Sequence, residues 1–83
     1  MSPYKIYPNP VKDHFIIKPV RPVYESIDLS IFTFEGLLYR EYKFRHPDNN
    51  YEYIVEVKNL PRGHYYVMIH SEKGNVIERL EKT

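Results

Sequence analysis

The sequence predicts an all-β domain: an immunoglobulin-like antiparallel β-sandwich of about seven short strands. Three observations carry that expectation. Turn signals recur at the spacing of an all-β chain, and apolar and polar residues alternate with period two between them. The chain holds nine Tyr and four Phe but no Ala, a composition that favours strands over a helical bundle. A small Greek-key barrel is the nearest competing architecture.

The elements follow in order. Tyr4–Tyr7 is a first strand, stopped by Pro8-Asn9-Pro10, where each proline removes a backbone donor and makes a kinked edge or corner. His14–Lys18 is the second, ended by Pro19, with Pro22 in the following loop. Ile27, Leu29 and Ile31 alternate with Asp28 and Ser30 in a half-buried third strand, which runs to a tight hairpin turn at Glu35-Gly36. Tyr39–Arg45 returns as the fourth and closes at residues 46–50.

Tyr51, Tyr53, Val55 and Val57 share one face of a fifth strand, with Glu52 and Glu56 opposite. Leu60-Pro61-Arg62-Gly63 suits a type I turn. Tyr65, Val67 and Ile69 alternate with Tyr66, Met68 and His70 in the sixth strand. Lys73-Gly74-Asn75 turns into the last, Val76–Lys82. The expected core is Ile27, Leu29, Ile31, Val55, Val57, Tyr65, Val67, Ile69 and Leu80. In the last strand Leu80 should pack inward, Arg79 should face solvent and Lys82 should swing free.

With 83 residues the chain is one small domain. Twelve basic against eleven acidic residues leave a net charge of +1, which makes no case for nucleic acid. The absence of cysteine excludes disulfides, thiolate metal sites and a cysteine nucleophile. Met1-Ser2-Pro3 does not open a signal peptide, and no apolar run approaches bilayer length.

A search for chemistry is negative. His14, His46, His64 and His70 lack metal-ligand spacing, and Ser2, Ser26, Ser30 and Ser71 lie in no nucleophile motif. Glu52 and Glu56 read as a solvated strand face, and no phosphate or calcium loop occurs. Neither a catalytic residue, a cofactor nor a metal is expected. Tyr51, Tyr53, Tyr65 and Tyr66 could form a stacking platform, but tyrosines also fill thin sandwich cores with the hydroxyl at the edge, and the core reading is preferred.

Three segments in order resemble a known family. Tyr7-Pro8-Asn9-Pro10-Val11-Lys12-Asp13, Ile31-Phe32-Thr33-Phe34-Glu35-Gly36 and residues 56–67, with Leu60, Pro61, Gly63 and Tyr65 at their centre, are similar to the type A C-terminal sorting domain of the type IX secretion system. The resemblance runs from Tyr4 to Lys82. It implies an immunoglobulin-like, non-catalytic address at the C-terminus of proteins exported by Bacteroidota. The implied partners are the outer-membrane translocon and its shuttle components, a surface sortase and an upstream cargo domain. The implied destination is the cell surface or the medium, reached through the periplasm and outer membrane.

The tail departs from the family's basic ending, reading Glu78-Arg79-Leu80-Glu81-Lys82-Thr83, and Lys58 and Phe32 replace residues common there. Arg79, Leu80 and Lys82 are the candidates for translocon recognition. Residues 4–83 are expected to form the domain, with 1–3 as start residues and cargo cleavage upstream of Tyr4. Open edge strands could also pair two copies into a homodimer. The alternative is a stand-alone immunoglobulin-like module that binds glycan or protein through a tyrosine-rich face.

Overall fold

The computed structural model describes residues 2–22 and 24–83. Met1, read above as a start residue, lies outside them. Seven strands follow in order: β1 (Tyr4–Tyr7), β2 (His14–Pro19), β3 (Ile27–Thr33), β4 (Leu38–Phe44), β5 (Tyr53–Glu56), β6 (Gly63–Ser71) and β7 (Gly74–Lys82). A single 3-10 turn, Asn49–Tyr51, is the only helical element among the described residues.

The strands form two antiparallel sheets, β1-β2-β5 and β4-β3-β6-β7, which is the expected sandwich. Constant-type immunoglobulin domains place the fourth strand beside the fifth. Here β4 pairs with β3 instead, because the turn at residues 33–37 folds the chain straight back. Gly36 closes that turn with φ +93, which L side chains rarely adopt, and donates its N–H to Thr33 O at 2.9 Å. Ile31 pairs with Arg40 and Phe32 with Leu38, so Tyr39 forms a bulge in β4.

Alternation decides which side chains enter. All nine expected core residues are buried, and the core also takes Tyr4, Val11, Phe15, Ile17, Tyr53 and Leu60. Each large apolar side chain so enclosed stabilises the fold by roughly 1.5–3 kcal/mol. Asp28 and His70, on the opposite parity, stay exposed.

Some local expectations need correction. Tyr51 lies not on a strand but in the 3-10 turn, with φ 59, and is exposed. β5 therefore starts only at Tyr53. Val57 follows the end of β5, and its N–H donates to Asp13 O at 2.8 Å. The hydrogen-bonded turn expected at Leu60–Gly63 falls earlier, at Val57–Leu60, closed by Leu60 N–H to Val57 O at 3.0 Å. Pro61 and Arg62 then lead into Gly63, the first residue of β6. The physical reason is that Gly63 is already paired with Lys82 at the start of β6, while Pro61 O accepts the Tyr65 hydroxyl at 2.5 Å and fixes the corner from the strand side.

Candidate recognition surface

The chemistry-bearing residue types are scattered. His14, His46, His64 and His70 are all exposed, and no group of three metal-ligating side chains occurs among the described residues. His46 stacks on Tyr24, His64 lies edge-on to Phe34, and His70 meets the Asn75 side chain. Glu52, half-buried, accepts the Tyr7 hydroxyl at 3.0 Å and pairs with Lys18 at 3.7 Å.

The tyrosines fasten the sandwich. Tyr53 and Tyr65 are buried, on different sheets, so the four candidates form no common platform. The Tyr53 hydroxyl donates to Glu25 O and the Tyr4 hydroxyl to Glu25 Oε1, each at 2.6 Å. Burial pushes the Tyr53 phenol up to about 12, with nearby Glu25 adding to the effect. Burial, and then the Glu25 carboxylate, raise Tyr4 as well. The Tyr65-to-Pro61 bond is the tyrosine corner of immunoglobulin-like sandwiches, in which a hydroxyl reaches back to backbone a few residues upstream. That assigns a structural task to Pro61 and Tyr65. Gly63, between them, has φ +152, in the region that favours glycine.

Pro8-Asn9-Pro10 does more than turn a corner. Both prolines follow cis peptide bonds, and Asn9 lies against the outer edge of β7. Its side-chain N–H donates to Arg79 O at 2.8 Å, and its Oδ1 accepts the Glu81 N–H at 2.9 Å. Val11 continues the contact: its N–H donates to Glu81 O, and its own carbonyl accepts the Thr83 N–H, both at 2.8 Å. An asparagine amide carries the same donor and acceptor as a peptide group, so Asn9 stands in for one residue of an added strand. The first and last segments of the chain are thereby locked together, which sequence reasoning missed. A lone asparagine between prolines signals a turn and does not show what the turn touches.

The recognition candidates divide. Arg79 is exposed, as expected, and Leu80 is buried, also as expected. Lys82 does not swing free: it is only 7% exposed, and its Nζ donates to Thr83 O at 3.0 Å. The reason is the added segment, since Val11 bridges Lys82 and covers the end of the strand. Arg79 joins Arg62, His64 and Phe34 around a shallow hollow on the four-stranded sheet, where Phe34 stacks on Tyr66. Neither arginine forms an ion pair among the described residues.

A small two-sheet sandwich whose polar side chains fasten its own strands is a β-sandwich domain of immunoglobulin-like type. The model of the secretion system C-terminal sorting domain family matches residues 5–82, and the chain belongs to that family. It is accordingly a non-catalytic sorting signal for type IX secretion, and family membership implies export by that route. A search among curated proteins finds no match to the chain.

Proposed function

We propose that this domain, spanning residues 4–83, is the C-terminal address of an upstream cargo protein and is read at the outer membrane after the cargo reaches the periplasm. The translocon and its shuttle components recognise it. A surface sortase then cuts upstream of Tyr4, and the cargo is attached to the cell surface or released. The observation that carries this reading is the ordered set of family segments within one matched stretch, residues 5–82. Arg79, exposed on the terminal strand, is the proposed contact, while Leu80 and Lys82 support it from within.

The test is transfer of function. The whole chain, fused to the C-terminus of a folded periplasmic reporter, is expected to carry it to the surface or medium of a host with this secretion system. An intact, folded fusion that stays in the periplasm would overturn the sorting reading.

A further inference from the structure

The outer edge of β7 is divided. In the β6–β7 ladder the odd-numbered residues of β7 turn their backbone groups away from β6, as the contacts of Arg79, Glu81 and Thr83 demonstrate. Asn9 and Val11 occupy that edge from Arg79 O to Thr83 N–H. The backbone groups of Asn75 and Ile77 and the Arg79 N–H lie on the same edge without a partner strand among the described residues.

The other sheet edges are protected against added strands. β1 and β5 are only four residues long. β4 carries Arg40, Glu41 and Lys43 and the bulge at Tyr39. β7 is nine residues long, and its open stretch begins Asn75-Val76-Ile77, without charge or proline. Ile77 is 64% exposed there, beside Met68 of β6.

From these contacts we infer that the open stretch Asn75–Arg79 is where the export apparatus docks, by adding an extended strand of its own to β7. The inference rests on the sorting reading and names the surface that reading leaves open. Main-chain hydrogen bonds supply the affinity in such additions, and alternate side chains supply the selectivity. The added segment carries an apolar residue beside Ile77 and an acidic one beside Arg79, which forms no ion pair among the described residues.

A second copy fits this edge poorly. Two-fold pairing centred on Ile77 would lay the partner's Lys73 turn beside Glu81, in the strip already filled by Asn9 and Val11. A foreign segment that begins or ends at Arg79 meets no such obstruction.

Ile77→Pro deletes one outward N–H while leaving the ladder to β6 intact, the setting in which edge strands tolerate proline. Ile77→Lys keeps the N–H but places a strand-blocking charge there. In the reporter fusion, each is expected to lower export about tenfold, which for Ile77→Pro is the equivalent of losing a backbone hydrogen bond or two. Lys5→Glu, on the opposite sheet, is expected to export normally, and circular dichroism melting verifies that each variant is folded.

Wild-type export with undiminished export of folded Ile77→Pro and Ile77→Lys overturns the docking edge and leaves the sorting reading standing. Failure of the wild-type fusion itself strikes the sorting reading instead. If Ile77→Pro is unfolded, Ile77→Lys decides alone. Sedimentation of the purified chain adds one more arm: a dimer abolished by Ile77→Lys would assign the edge to a second copy and overturn the inference.

Discussion

Two proline-containing motifs of this domain look alike on paper and act at different ranges. Leu60-Pro61-Arg62-Gly63-His64-Tyr65 closes on itself: the Tyr65 hydroxyl reaches Pro61 O, four residues back. Pro8-Asn9-Pro10 closes on the other end of the chain, where Asn9 bonds residues 70 and 72 positions away. The local motif sets one corner and can form as soon as β6 begins. The distant one needs the first and last segments of the chain side by side. The lesson is that a turn signature in sequence shows where the chain bends, while the reach of its side chains decides what the bend holds.

The largest expected effect breaks the local motif. Tyr65→Ala removes a buried aromatic ring together with its corner bond and should cost about 3–5 kcal/mol of stability. Tyr65→Phe keeps the ring and should cost about 0.5–1.5 kcal/mol, the net value of one part-buried hydrogen bond. Urea unfolding at neutral pH separates the two. A Phe variant as stable as wild type would show that the corner is packing alone.

Breaking the distant motif should look different in kind. Asn9→Ala removes two hydrogen bonds at an exposed edge and should cost about 1 kcal/mol, concentrated at the end of β7. Amide exchange reads this directly, with the Glu81 and Thr83 N–H groups speeding up while those of Leu29 and Val67 hold. Uniform loss of protection across the sandwich would mean that the clamp is part of the global fold rather than its final latch.

Tyr53 stands between the two cases, being a hydroxyl anchor like Tyr65 that spans 28 residues to Glu25 O. Its titration shows only in alkali. The phenol is raised from 10.0 to about 12 in the fold, so the folded state holds the proton longer than the unfolded chain does. Its contribution is full below the unfolded value, pH 10.0, and disappears as pH rises through about 12. Stability measured at about pH 9 and about pH 11 should fall in the wild type and fall less in Tyr53→Phe. Equal losses would assign the alkaline sensitivity to other groups, with Tyr4 the first to examine.

Periodicity made the sandwich legible. The alternation of Ile27, Leu29 and Ile31, and of Tyr65, Val67 and Ile69, is a property of neighbouring residues, because successive side chains of a strand point to opposite faces. One buried face then follows whatever strand lies alongside. Gly36 marked its hairpin for an equally local reason, since its φ of +93 depends on the missing side chain.

Two features were decided only by which strands became neighbours. The turn before β6 moved to Val57–Leu60, because Val57 is held by Asp13 and Gly63 is paired with Lys82. Lys82, read as a free charged end, was buried beneath a bridge to Val11, its hydrocarbon stem covered and its ammonium turned to the terminal carbonyl. Local pattern sets which way a side chain points. Contacts across 70 residues depend on the packed arrangement of all seven strands, and that arrangement alone left half of one edge open.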